Sequence, residues 1–216
     1  GNGAASLAQT ITTGSGNDTI TMGANLTAAD VIDGGGNAVT AAGTTGSDKL
    51  TATGDQGSAV TAAALQISNV EAVEIAQGGG AIATYIDGSK LSGVGSIAFS
   101  AGSGAVTLSN MPAGVALGLG IADVESTATY TYTLADATGT EDALSLSYPS
   151  GINAGTSNTI VTSGMETLNI KATTEAGGAT TQTLVLTNAK VNTINVTKGH
   201  ADDTLALGTL DKSVTT

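Results

Sequence analysis

NVEAVEIA, residues 69–76, places Val70, Val73 and Ile75 in the frame apolar-x-x-apolar-x-apolar. Alternation of Val73 and Ile75 has the period of a β-strand, and the Asn before the frame is a turn former. The same frame recurs as Val94, Ile97, Phe99 in GVGSIAFS, as Met165, Leu168, Ile170 in GMETLNIKA, and as Val191, Ile194, Val196 in KVNTINVT. The first two copies are 24 residues apart and the last two 26, and the 71 residues from Val94 to Met165 hold three further periods.

A second strand-like piece ending in a polar corner precedes these frames: AALQISN before Val70, ATYIDGSKLSG before Val94 and TLVLTNA before Val191. AVTLSNMPAGVALGL, residues 105–119, is a degenerate copy. A unit of about 24 residues with two or three short strands cannot bury its own apolar face and must stack on the next. The predicted fold is all-β, a parallel β-solenoid or β-roll-like stack. An antiparallel β-sandwich is the alternative, although Asn-Gly and Asp-Gly hairpin signals do not punctuate the repeat regularly. TATYTYTLADA (127–137) and ALSLSY (143–148) alternate so cleanly that a separate sheet or insertion is expected there.

Composition agrees with a narrow interior. Thr, Ala, Gly and Ser supply 120 of 216 residues, against one Phe, four Tyr and no Trp, so thin layers of Val, Ile, Leu and Ala must form the core. Six Lys, no Arg and 18 acidic residues give a net charge of −12. That balance removes the electrostatic basis for binding nucleic acid or anionic lipid and makes cations the natural counterpart. The absence of Cys excludes disulfides and thiolate chemistry. No apolar run is long enough to insert into a membrane. Both termini, GNGAASL and DKSVTT, lie in patterned sequence, so the chain is expected to be a piece of a longer protein.

A second pattern lies in the turns. TGSGNDTIT (13–21) spaces Gly14, Gly16, Asp18 and Ile20 so that glycines turn the backbone, a carboxylate enters the turn and an apolar residue follows two positions later. GTTGSDKLT (43–51) repeats this with Gly43, Gly46, Asp48 and Leu50. ADVIDGGGN (29–37) adds Asp30, Asp33 and the run Gly34 to Gly36, TGTEDALSL offers Gly139 and Asp142, and KGHADDTLA offers Gly199 and Asp203. Either Asp33 or Asp48 is expected to supply the turn that stacks on Asp18.

In these motifs the chain resembles the RTX proteins, the type I secreted family, and more narrowly the RTX S-layer proteins of Gram-negative cells. The resemblance implies secretion to the cell surface and Ca²⁺ held by turn carboxylates and carbonyls, with Asp18 and Asp48 as ligands and Asp142 and Asp203 as further ones. It divides the chain into calcium-binding turns over 1–56 and a solenoid over 57–216, or one continuous domain. It also implies a structural role, self-association into a lattice through calcium, with cell-surface polysaccharide as a further partner. The chain departs from the family in spacing its turns apart rather than running them consecutively.

An adhesin or stalk shares the solenoid without needing a lattice. A polysaccharide lyase or hydrolase is a weaker reading: there is no Arg, the only histidine is His200, and no G-x-S-x-G occurs. Glu71/Glu74, Glu141/Asp142 and Asp202/Asp203 are paired acids, but neighbours along a strand point to opposite faces. No catalytic residue is expected.

Overall fold

The computed structural model describes residues 7–37, 47–53, 60–62, 65–77, 83–100, 104–121, 124–125, 128–149, 157–173, 181–187, 191–197 and 204–207. Within them the chain is a parallel β-solenoid. An eight-stranded sheet stacks Thr19–Gly23, Lys49–Thr53, Ala72–Ala76, Ser96–Ser100, Ala116–Gly118, Ala143–Pro149, Thr167–Thr173 and Thr193–Thr197 in chain order, all parallel. A seven-stranded parallel sheet runs from Val60–Ala62 to Thr204–Leu207. A four-stranded parallel sheet, Thr10–Thr12, Val31–Asp33, Gln66–Ser68 and Leu91–Ser92, gives the first half a third side.

Every pairing in these three sheets is parallel, which excludes the sandwich. Among the described residues, the one antiparallel pair is the small Gly120–Ile121 with Val124–Glu125. The segment expected to form a separate sheet does not: Thr129–Leu134 is a rung of the seven-stranded sheet and Ala143–Pro149 a rung of the eight-stranded one. Their outward Ser and Thr are the solvent side of ordinary solenoid strands. The eight-stranded sheet also runs across position 56, through the pairing of Lys49–Thr53 with Ala72–Ala76.

Registered partners measure each coil. Lys49 to Ala72 spans 23 residues, Ala72 to Ser96 24, Ser96 to Ala116 20, Leu117 to Leu146 29, Leu144 to Leu168 24 and Leu168 to Ile194 26. Three steps therefore separate the Val94 frame from the Met165 frame, as the 71-residue gap predicts.

Stacking places like on like inside. Leu50, Val73, Ile97, Leu117, Leu146 and Ile170 form one inward column through successive registered pairs, and all are buried. Each side chain so covered contributes about 1.5–3 kcal/mol relative to exposure. Of the twelve frame residues only Val196, on the last strand of its sheet, is exposed. Large residues span the two walls at mid-length: the rings of Phe99 and Tyr130 lie 6.0 Å apart at an interplanar angle of 54°, and the buried Tyr132 hydroxyl donates to the Val115 carbonyl at 2.8 Å.

The corners use a local rule. Ser68-Asn69-Val70, Ser92-Gly93-Val94, Ser109-Asn110-Met111 and Ser163-Gly164-Met165 each put a left-handed residue between a serine and a buried apolar one, with φ of 53, 75, 52 and 73°. Only Asn and Gly adopt that conformation at low cost, so the chain turns there and the next apolar residue is driven inward.

Candidate functional site

The residue just before each strand of the eight-stranded sheet stands at a corner, and three successive coils put a carboxylate there: Asp18, Asp48 and Glu71, ahead of Thr19, Lys49 and Ala72, which are in register. The backbone N–H of Asp18 donates to Asp48 Oδ1 at 2.6 Å and that of Asp48 to Glu71 Oε2 at 2.6 Å. Asn37 Nδ2 donates to Glu71 Oε1 at 2.6 Å. Asp48 and Glu71 thus each accept the corner N–H of the coil before. The column resumes at Asp142, whose N–H donates to Glu166 Oε2 at 3.0 Å. Main-chain pairing links the same positions, because the N–H groups of Glu166 and Thr167 both donate to the Asp142 carbonyl, and those of Asn192 and Thr193 to the Glu166 carbonyl.

The remaining oxygens are the unusual feature. Asp18 Oδ2, Asp48 Oδ2, Asp142 Oδ2 and Asn37 Oδ1 are shielded from solvent and accept no hydrogen bond. Asp48 is wholly buried, and an unpaired charged oxygen in such a place is costly unless a donor or cation meets it. All four are hard oxygen donors of the kind calcium takes. Among the described residues, no group of three or more His, Cys, Asp or Glu is placed to hold a metal ion. An ion at this corner would therefore draw the rest of its shell from amide and turn carbonyls and water.

The structure separates the other residues that the motifs singled out. Asp18 stacks on Asp48 rather than Asp33. Asp30 is fully buried and both its oxygens are engaged, Oδ1 by the Gln9 N–H and Oδ2 by the Thr27 N–H, each at 2.7 Å, so it ties two turns together. Asp33 lies at a different corner, where Oδ1 accepts from Asn69 Nδ2 at 2.8 Å and the Gly35 N–H at 3.0 Å. These donors, Asn69 first, hold its pKa below the usual carboxylate value. Asp87 repeats the arrangement with Asn110 Nδ2 and the Ser89 N–H, and its pKa is lowered for the same reasons.

Gly14 and Gly16 belong to the turn under Gly34 to Gly36: Gly16 N–H donates to the Gly36 carbonyl at 3.1 Å and Gly36 N–H to the Gly14 carbonyl at 3.3 Å. A Cβ on Gly35 would collide with the Gly14 carbonyl, so the glycine run is what lets the two turns lie flat on each other. At the second acidic corner a Cβ on Gly139 would lie 3.0 Å from Asp142 Oδ2. Gly43, Asp203 and His200 fall outside the described residues.

The motif pattern misses Glu71, Glu166 and Asn37. The signal for the two glutamates is their place directly after the first apolar residue of a frame, Val70 and Met165. Glu74, by contrast, stands on the outer face and pairs with Lys49 Nζ at 2.7 Å, so Glu71 and Glu74 do not converge.

Comparison of the chain with protein-family models, curated proteins and solved structures gives no match. Among the described residues no helix is long and apolar enough to cross a membrane.

Proposed function

We propose that this chain is a structural segment of a secreted bacterial surface layer, a solenoid stiffened by calcium that self-associates on the outside of a Gram-negative cell. The observation that carries this reading is the acidic corner, where Asp18, Asp48 and Glu71 stack on successive coils and two of the carboxylates keep a buried oxygen without a donor. Like charges one strand spacing apart, about 4.8 Å, repel, and among the described residues none of the three forms an ion pair. Asp18, Asp48 and the Asn37 amide oxygen would hold the ion, with Asp142 at the second corner. Bound there, calcium would supply the missing positive charge and couple ion binding to folding.

The rest of the molecule suits a building block. Its backbone groups are consumed in parallel ladders along the length, and among the described residues the open edges are those of the first and last strands of each sheet. The flanks carry short Thr and Ser side chains, as in Thr129, Thr131 and Thr133, which allow close lateral approach. Thermal melts of the whole chain in excess Ca²⁺ and in chelator test the calcium part: a rise of tens of degrees with calcium is expected, and coincident melts would remove it. Electron microscopy with calcium tests the lattice part, with ordered sheets expected; dispersed rods would favour the stalk or adhesin reading.

A further inference from the structure

The sequence contains two Asp-Gly steps, Asp33-Gly34 in VIDGGG and Asp87-Gly88 in YIDGSK. The fold treats them alike. Each Asp ends a strand, Val31–Asp33 or Thr84–Asp87, and pairs in register with a serine of the next coil, Ser68 or Ser109. The residue after that serine is Asn69 or Asn110, and among the described residues these two are the only non-glycine residues with positive φ, at 53 and 52°. Asn69 Nδ2 donates to Asp33 Oδ1 at 2.8 Å and Asn110 Nδ2 to Asp87 Oδ1 at 3.1 Å. The N–H two residues after each Asp, on Gly35 or Ser89, donates to the same oxygen at 3.0 Å.

Stacking dictates the glycine in each step. A Cβ on Gly88 would lie 2.5 Å from the Asn110 carbonyl oxygen and 2.6 Å from Met111 Cα, and one on Gly34 would overlap the Asn69 carbonyl. The chemical consequence is a weak point. Without a Cβ, Gly least obstructs attack of its own backbone nitrogen on the carboxyl carbon of the Asp before it, and least resists the backbone rotation that attack needs. In that reaction the Gly nitrogen bonds to Asp Cγ and loses its proton, and the carboxyl hydroxyl leaves as water, closing a five-membered succinimide. Water then opens the ring. Opening at the main-chain carbonyl reroutes the chain through Cγ as isoaspartate, with one methylene more in the backbone.

The corners oppose each part of this reaction. The Asp87 backbone is extended, with φ −94° and ψ 107°, which turns the Gly88 nitrogen away from the carboxyl. The Gly34 N–H is spent on the Ser68 carbonyl at 2.9 Å. Two donors on Oδ1 fix each carboxyl, and they also hold it ionised, without the hydroxyl that has to leave. We propose that Asp33-Gly34 and Asp87-Gly88 are isoaspartate-forming sites that Asn69 and Asn110 hold closed, so that each isomerises only when its coil lifts from the next. Because each Asp is in register with a serine of that coil, the added methylene keeps the pair from re-forming, and a single opening is recorded permanently. The inference depends neither on calcium nor on a lattice.

The test is prolonged incubation of the full chain at mildly acidic pH, folded and in denaturant. Isoaspartate is counted by methylation of its free carboxyl with a protein isoaspartyl methyltransferase and located by peptide mapping. Both sites should isomerise in denaturant and hardly at all in the folded parent. Asn110→Gly keeps the left-handed turn and removes the amide, so Asp87 alone should isomerise faster in the folded state, by about fivefold, the equilibrium weight of one hydrogen bond. Asn69→Gly should do the same to Asp33 alone. In each variant the site left untouched is the control for loss of fold. Equal rates in the folded parent and in denaturant would overturn the proposal, as would unchanged rates in both Gly variants. So would a rise at both sites in either variant, which reports general unfolding rather than release of one corner.

Discussion

The amide of Asp48 donates to the side chain of Glu71 on the next coil at 2.6 Å, so an acid that the turn motif does not include completes the turn that it does. Two consequences follow from the second oxygen of Glu71, which accepts from Asn37 Nδ2. Glu71→Ala leaves two donors unmatched at a half-buried corner and should lower stability by about 1–3 kcal/mol in chelator, read from denaturant unfolding. If Glu71 is also part of the calcium environment, the same variant shows a smaller calcium-dependent rise in melting temperature than the parent.

Asp48→Asn separates hydrogen bonding from charge. The amide keeps an oxygen for the Asp18 N–H but removes one charge from the stack. In chelator the variant should be as stable as the parent or more so, because repulsion between neighbouring carboxylates is relieved. With calcium it should lose most of the increment the parent gains. A variant that is weaker in chelator and keeps the full calcium increment would place the ion elsewhere.

Close backbone approach at the corners gives a steric prediction. A Cβ on Gly88 would lie 2.5 Å from the Asn110 carbonyl oxygen, and one on Gly34 would overlap that of Asn69. Gly34→Ala and Gly88→Ala must push coils apart and should each cost about 1–3 kcal/mol in denaturant unfolding. Asn69→Ala, at φ 53°, should cost about 1–2 kcal/mol for the left-handed conformation, whereas Asn69→Gly should recover that part.

The coil length and inward frame are legible in sequence because both arise from a short-range pattern, strand alternation after a polar corner, that stacking repeats. Val73 and Ile97 can be paired on paper since each follows its corner by the same count. The acidic column is only half legible. Asp18 and Asp48 stand in glycine-rich turns that advertise a carboxylate, but Glu71 and Glu166 follow an apolar residue and look like ordinary strand positions. Their role depends on register between coils, which intervening loops of unequal length set. Gly34 shows the same limit: within ADVIDGGGN it is one glycine of three, and its need for a missing Cβ comes from Asn69, 35 residues further on.

Asp33 and Asp87, the two carboxylates that accept from a corner Asn, predict a pH response. Asp33 and Asp87 both titrate below the ordinary value of 3.8, held there chiefly by Asn69 and Asn110. Lowered folded-state pKa values mean that their contribution is present above the unfolded value and lost as pH falls through the folded one, so the window lies below 3.8. Both side chains are open to solvent, so the effect is read best site by site. Carboxyl ¹³C titration should place both below free aspartate, with Asn69→Ala raising Asp33 alone and Asn110→Ala raising Asp87 alone. A common shift of both in either variant would mean that coil unfolding, not the local donor, is being measured.

At the opposite end of the pH scale, Tyr132 supplies the complementary test. Its ring is 1 % exposed between the two walls, and burial pushes its hydroxyl pKa up to about 12 from 10.0. A raised folded-state value means that the neutral hydroxyl's contribution is complete below the unfolded pKa and is lost as pH climbs from 10.0 toward about 12. Tyrosinate absorbance should therefore show a phenol that titrates above 10.0, toward about 12, together with the loss of structure, and that is absent from Tyr132→Phe. Tyr132→Phe removes the donor to the Val115 carbonyl without removing the ring, and should cost about 1–3 kcal/mol at neutral pH, where the carbonyl is left buried without that partner. The variant should also lose part of the alkaline destabilisation, since the group that ionises is gone. If it unfolds at the same high pH as the parent, another ionisation governs that limb, and the coupling between the Tyr132 hydroxyl and the stability of the mid-length core is absent.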